Sequence, residues 1–244
     1  MAVGDLRRNG IADIVFTNGG VYGVGNDVGV LLGKGKGVFE HEVLYHPGGT
    51  QPNTAIITDV NGDGIPDLLV ANVPNTTGIN STVGVLLGNG DGTFKPAKTT
   101  NIDCRGICYT PTDTLIAGDF NGDGKPDIAV MVNGGIAIFL GKGDGTFARP
   151  GKFYQLGCGA YGGAAADFNG DGILDLALVG NCQTSYVSVL VGNGDGTFQP
   201  AAKFAVGSRP VQLTVADFNG DGKPDIATAN YGSQDVSILL NTTP

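Results

Sequence analysis

A nine-residue phrase, Asp59-Val-Asn-Gly-Asp-Gly-Ile-Pro-Asp67, returns at 119–127, 167–175 and 217–225, and a worn copy occupies 5–13. Its starting positions, 5, 59, 119, 167 and 217, are separated by 54, 60, 48 and 50 residues. A repeat of about fifty residues that fills a chain end to end means an array of similar supersecondary units, and it leaves no room for an unrelated second domain. The expected organisation is one domain over 1–244 built from five units, approximately 1–53, 54–113, 114–161, 162–211 and 212–244.

A second phrase follows the first, at 86–94, 140–147 and 190–198 and more weakly at 31–39. Between the phrases lie apolar runs such as 128–132 and 187–191, too short for helices and rich in β-branched residues. The 43 glycines leave no apolar stripe at helical spacing. In the third unit the pattern predicts strand A over 115–120, B over 128–132, C over 136–140 and D over 146–152. Four antiparallel strands per unit match a propeller blade, whereas solenoid repeats usually carry one or two. The expected fold is therefore all-β, a β-propeller of about five four-stranded blades. The last blade ends after strand C at 238–241 and lacks its outer strand, so it is either three-stranded or part of a longer propeller.

Charge narrows the partners. With 23 acidic against 14 basic residues and a net charge of −9, the chain has no basic cluster for a nucleic-acid groove or an anionic membrane surface. No apolar run approaches the ~18 residues of a membrane span. The first residues lead into polar sequence without a signal-peptide core, as expected of an excised mature domain.

The pair of phrases, Asp-Phe-Asn-Gly-Asp-Gly-Lys-Pro-Asp at 119–127 and 217–225 and Leu-Gly-Asn-Gly-Asp-Gly-Thr-Phe at 87–94, resembles the FG-GAP/VCBS repeat. That repeat builds integrin alpha-chain propellers and many bacterial extracellular proteins. The resemblance covers nearly the whole chain and is specific in four of the five units. It implies a calcium-binding propeller used for adhesion or ligand binding, in a family that also has lectin and enzyme-attached members.

Spacing alone supports the metal. Calcium takes six to eight oxygens, and side chains two residues apart in a tightly turning loop converge on one centre. The expected ligands are Asp59, Asn61, Asp63, Ile65 and Asp67; Asp119, Asn121, Asp123, Lys125 and Asp127; Asp167, Asn169, Asp171, Ile173 and Asp175; and Asp217, Asn219, Asp221, Lys223 and Asp225. Position seven contributes its backbone carbonyl. The alternative is a metal-free Asx turn, which Asn-Gly and Asp-Gly favour. Three carboxylates within nine residues repel unless a cation lies among them, which favours about four calcium ions. In the first unit Arg7 and Asn9 replace two ligands, so a guanidinium between Asp5 and Asp13 is expected in place of an ion. The Gly-Asn-Gly-Asp-Gly stretch is read as a tight turn, since no helix follows it to make a phosphate loop, with Phe94, Phe147 and Phe198 packing between blades.

Catalysis has little support in the remaining residues. Fourteen acidic residues lie at metal-loop positions and three more, Asp91, Asp144 and Asp195, in the C to D turns. The other six, Asp27, Glu40, Glu42, Asp103, Asp113 and Asp235, offer no obvious pair for glycoside cleavage. A polysaccharide-acting enzyme using Tyr109, Arg105 or His46 is the alternative to a binding module, and a structural segment of a larger adhesin is the third reading.

Cys104, Cys108, Cys158 and Cys182 admit three pairings. Alternating strand directions bring the connections holding Cys158 and Cys182 to one face, so Cys104–Cys108 with Cys158–Cys182 is preferred over free thiols or a zinc site. Disulfides and millimolar calcium both point to an extracellular or cell-surface location. Tyr22, Tyr186 and Tyr231 are assigned to B to C connections and Tyr109 and Tyr161 to D to A connections, all on the face opposite calcium, with variable loops at 74–82 and 100–112. Such rings suit stacking on a glycan or anchoring an extracellular protein, and the alternative is that they only cover the rim.

Overall fold

The computed structural model describes residues 1–19, 25–72, 81–102, 115–132, 134–148, 152–156, 160–180 and 185–243. Among them there is no helix. The strands form four four-stranded antiparallel sheets, one three-stranded sheet and one two-stranded ribbon.

The first sheet holds β1 (Ala2–Gly4), β2 (Asp13–Gly19) and β3 (Asn26–Leu31); a ribbon of β4 (Gly33–Gly35) and β5 (Val38–Phe39) leads to its outer strand β6 (Val43–Tyr45). The second runs through β7 (Pro52–Thr58), β8 (Asp67–Asn72), β9 (Thr82–Leu86) and β10 (Lys98–Asn101). The third comprises β11 (Leu115–Gly118), β12 (Asp127–Val132), β13 (Gly135–Phe139) and β14 (Lys152–Gln155). The fourth comprises β15 (Ala160–Ala166), β16 (Asp175–Gly180), β17 (Tyr186–Leu190) and β18 (Ala202–Ala205), and the fifth β19 (Pro210–Ala216), β20 (Asp225–Asn230) and β21 (Asp235–Leu239). Strands pair in chain order in every sheet, the ribbon intervening between β3 and β6 in the first. The first phrase therefore always joins strands A and B, and the second always follows strand C.

Why strand B of the second and third repeats lies deep is visible in its residues. β8 (Asp-Leu-Leu-Val-Ala-Asn) and β12 (Asp-Ile-Ala-Val-Met-Val) are buried at all six positions. A strand covered on both faces has no polar side to alternate with, so it reads as a continuous apolar run.

By contact the chain divides into two compact units, Met1–Leu115 with Gly141–Pro150, and Ile116–Leu140 with Gly151–Pro244. In the first, Leu6, Val15, Val28 and Val30 of the first repeat pack with Leu68, Val70, Leu86 and Phe94 of the second. In the second, Phe120, Met131, Ile136 and Ile138 of the third repeat pack with Leu176, Leu178, Leu190 and Phe198 of the fourth. Val187, Val189 and Phe168 of the fourth pack in turn with Leu213 and Ile226 of the fifth. Phe94 and Phe198 thus pack between repeats, as expected; Phe198 meets Phe120 at 5.6 Å and Tyr154 at 5.7 Å, and Phe94 meets Tyr45 at 5.3 Å, all edge to face.

Two expectations about strands need correction. Strand D of the third unit is Lys152–Gln155, later than the expected 146–152. Phe147 instead makes an isolated bridge back to Gly141, so the second phrase closes on itself before the outer strand begins. Tyr161 and Tyr186 lie within strands A and C of the fourth repeat and not in the D to A and B to C connections expected for them.

Candidate metal loops and recognition end

Each A to B loop is held by its own side chains. In the second repeat the Asp59 carboxylate accepts the N–H groups of Gly62 at 2.8 Å and Gly64 at 2.7 Å. The Asn61 carbonyl oxygen accepts the N–H of Asp63 at 2.9 Å, and Asp63 accepts that of Ile65 at 2.8 Å. Gly62 and Gly64 have φ of 74° and 79°, a left-handed conformation that glycine adopts without strain. The bond from residue seven to the fifth-position Asp recurs at 2.9 Å from Lys125, 2.8 Å from Ile173 and 2.9 Å from Lys223. The amide of Asn61 also donates to Asp63 Oδ2, and Asn169 and Asn219 do the same to Asp171 and Asp221. In the third loop Lys125 Nζ stands 3.4 Å from Asp123 Oδ2, so its side chain takes part as well as its backbone.

The ninth-position aspartate has a different environment. Asp67, Asp127, Asp175 and Asp225 are fully buried. Asp67 accepts the N–H of Val60 at 3.0 Å and that of Gly88 at 2.7 Å, tying the A to B loop to the turn after strand C. Asp175 accepts from Phe168 at 3.0 Å and Gly192 at 2.8 Å, and Asp225 from Phe218 at 3.0 Å and Asn241 at 2.7 Å. Gly88 is needed here because a Cβ would lie 2.3 Å from the Pro66 carbonyl oxygen. Burial raises the Asp67 carboxyl above its ordinary range; the two N–H groups pull it back, and Asp63 and Asp59 push it further up. Asp175 is raised in the same way, with Asp171 and Asp167 as the neighbouring charges.

Among the described residues no three carboxylate, imidazole or thiol side chains are grouped as a metal centre. The side chains turned onto the backbone of each of these four loops are the carboxylates at positions one and five and the amide at position three. They are hard oxygen donors, and each carboxylate keeps lone pairs beyond its N–H bonds. The donor set thus suits calcium, which would neutralise the repulsion between carboxylates held in one loop.

The first loop is a variant. Arg7 Nη2 bonds Asp13 Oδ1 at 2.9 Å and also the Gly33 carbonyl. The buried Asp13 keeps the N–H groups of Leu6 and Gly33. Asp5 is held instead by the N–H groups of Asn9 and Gly10, so the guanidinium bridges to one carboxylate and not to both as expected.

The turn after strand C is a second Asx device. Asp91 Oδ1 accepts both the N–H and the hydroxyl of Thr93, and Asp144 does the same with Thr146.

At the other end of the sheets, Tyr186 opens β17 half-buried, with Lys203 Nζ 4.3 Å from its ring centre. Tyr231 is 67% exposed, and the Arg209 guanidinium lies 5.1 Å from its ring. Tyr161 is the extra residue of a bulge between Ala160 and Gly162. Sequence reasoning missed the two cationic partners. Lys203 could have been found from strand pairing, since Tyr186 faces Ala205 and Lys203 is its diagonal neighbour. Tyr22, Tyr109 and all four cysteines, Cys104, Cys108, Cys158 and Cys182, lie outside the described residues.

Residues 5–70, 59–130, 119–178 and 167–228 each match the FG-GAP-like repeat. The chain is 29% identical over 151 residues to phosphatidylinositol-glycan-specific phospholipase D of Rattus norvegicus, covering 53% of this chain and 18% of that protein. To the Homo sapiens protein of the same name it is 30% identical over 151 residues, with the same coverage of 53% and 18%. It therefore spans less than a fifth of the length of these relatives. Among solved structures, the V. cholerae biofilm matrix protein Bap1 aligns with a TM-score of 0.54 at 17% identity, covering 98% of this chain and 36% of that one, a likeness of fold. A lectin of Agrocybe aegerita, described as recognising non-reducing terminal N-acetylglucosamine, aligns with a TM-score of 0.48 at 23% identity over 99% of this chain and 80% of that one.

Proposed function

Because the chain belongs to the FG-GAP-like repeat family, we propose that it is a calcium-stabilised β-propeller binding module that recognises a glycan or an extracellular protein. The observation that carries this reading is the loop geometry repeated four times, in which an Asp, an Asn and a second Asp, spaced two residues apart, each accept backbone N–H groups of one exposed loop. Calcium bound there would supply charge neutralisation and rigidity, and no chemistry. The proposed location is extracellular, where calcium is millimolar and where Cys104–Cys108 and Cys158–Cys182 would be oxidised. No helix among the described residues is long and apolar enough to cross a membrane. The activity named for the relatives is not proposed here, since this chain spans 18% of their length.

Recognition is assigned to the end of the sheets that carries Tyr161, Tyr186 and Tyr231. Amphipathic rings, two of them, Tyr186 and Tyr231, with a cation beside the ring, suit a sugar face or a polar protein surface. The test has two arms. Calorimetric titration of the chelated protein should find four calcium sites, and Asp119→Ala should remove one of them. With Kd values of 10⁻⁴ to 10⁻³ M, ~2 mM calcium should add on the order of 3 to 7 kcal/mol in total. A glycan array followed by Tyr161→Ala, Tyr186→Ala and Tyr231→Ala should then show binding weakened tenfold or more by at least one substitution. An unchanged melting curve in excess EDTA refutes the first arm. Binding that survives all three substitutions refutes the second.

A further inference from the structure

The A to B loop of the first repeat reaches the loop of the second. Arg8 stands at its fourth position, where the other four loops have Gly62, Gly122, Gly170 and Gly220. Those glycines have φ of 74°, 70°, 77° and 77°, and Arg8 keeps the same left-handed turn with φ of 54°. A side chain in that conformation is strained, whereas glycine is not. Backbone strain of this kind collects where a side chain has a task.

Arg8 is exposed, and its guanidinium is turned toward the second loop, 3.5 Å from where a Cβ on Gly64 would lie. Both loops belong to the first compact unit. Gly64 follows Asp63, the fifth-position carboxylate. The Ile65 N–H and the Asn61 amide hold the Asp63 carboxyl below its ordinary range, and the charges of Lys95 and Arg8 pull it the same way. Among the described residues Arg8 takes part in neither ion pair, Arg7 with Asp13 or Lys125 with Asp123.

The remaining loops differ in the cation they keep. In the third, Lys125 Nζ lies 3.4 Å from Asp123 Oδ2. The fifth has Lys223 at the same position, but its Nζ donates to the Thr243 carbonyl and is turned away from Asp221. The fourth has Ile173 there, with no charge to offer.

We infer that Arg8 is a built-in counter-ion of the second loop, lent by the first, and that it competes with calcium for Asp59 and Asp63 as Lys125 competes at the third loop. The inference rests on the calcium reading proposed above and adds an order to it. The fourth and fifth loops fill first, and the second and third need more calcium. Calcium affinity follows the charge of the ligand set. A unit positive charge within several ångströms of a divalent ion weakens its binding by about three- to tenfold in water-like surroundings. The module therefore stiffens in two steps as calcium rises, and the second and third loops release first as it falls.

The test is calorimetric titration of calcium into the chelated full chain, with Arg8→Gly, Arg8→Lys and Lys125→Gln beside the parent. The parent should show two tighter and two weaker sites, separated by about threefold or more. Arg8→Gly restores the residue of the other loops, so it should fold at least as well, and it should tighten one weak site by about three- to tenfold. Adding Asp59→Ala should abolish the tightened site. Arg8→Lys keeps the charge and should leave that site weak, while Lys125→Gln should tighten the other. Four sites of one affinity overturn the inference and leave the calcium reading standing, as does an Arg8→Gly titration that matches the parent. Equal tightening by Arg8→Lys also overturns it, since strain and not charge would then be the cause, and so does a gain that survives Asp59→Ala. A chain that takes up no calcium overturns both.

Discussion

Replacing Asp67 tests whether the ninth-position aspartate is a structural clamp in its own right. Its carboxylate is fully buried and accepts one N–H from the A to B loop, that of Val60, and one from the turn 21 residues on, that of Gly88. Asp67→Ala leaves both N–H groups buried without an acceptor, at about 1–3 kcal/mol each, so the expected loss is roughly 2–6 kcal/mol. Asp67→Asn keeps one oxygen and turns an amide donor toward the other N–H, for a loss of roughly 1–3 kcal/mol. Relief of the repulsion from Asp59 and Asp63 reduces the Asn figure further. The measurement is urea unfolding in excess EDTA, where loss of a calcium ligand cannot contribute. If Asp67→Ala unfolds within about 0.5 kcal/mol of the parent under chelation, the two hydrogen bonds do not hold the repeat together and the residue matters only through metal.

Three further outcomes are expected. Arg7→Ala removes the charge-assisted bond to the buried Asp13 and should cost about 1.5–3 kcal/mol, equally in calcium and in EDTA; a calcium-dependent loss would mean that the first loop binds metal after all. Phe198→Ala should destabilise by about 3–5 kcal/mol in chemical unfolding, since its ring fills the contact with Phe120 and Tyr154; a loss below 1 kcal/mol would refute that packing. Burial, followed by the charge of Asp91, raises the Tyr45 hydroxyl above its ordinary 10.0. Its stabilising contribution is then complete below the unfolded value and lost as pH rises through the folded one. Ultraviolet titration should show one late-ionising phenol that Tyr45→Phe removes, and a titration unchanged by that substitution would contradict the assignment.

The middle of each repeat was readable from the chain alone because its causes are local. Strand B of the third repeat begins one residue earlier than expected, at Asp127, and strand C is shifted by one, to Gly135–Phe139, because apolar β-branched runs and flanking turn residues define both. The outer strand was misplaced because Thr146 and Phe147 look like strand residues but are used up in the turn, where Asp144 captures Thr146. Strand β15, Ala-Tyr-Gly-Gly-Ala-Ala-Ala, has almost no β propensity and exists because β16 offers it a pairing edge. In the loops, spacing revealed which residues carry oxygen. It could not reveal that Asp67 reaches Gly88, since that partner is placed by the path of two intervening strands. Nor could it show that Arg7 prefers Asp13, whose full burial makes the ion pair stronger there than at the half-buried Asp5.

The bulges in strand A decide where a repeat can change. In β7, β15 and β19 one extra residue, Asn53, Tyr161 and Val211 respectively, is squeezed in at the second position, and pairing downstream then runs without a shift to the aspartate that starts strand B. Such a bulge is an expansion joint. A connection arriving from the previous repeat can gain, lose or exchange residues, and the irregularity absorbs the difference before the alternation of side chains is set. Variation is confined to one rim while the phase of every strand at the acidic loops stays the same. One repeat can therefore acquire a new surface without retuning its neighbours.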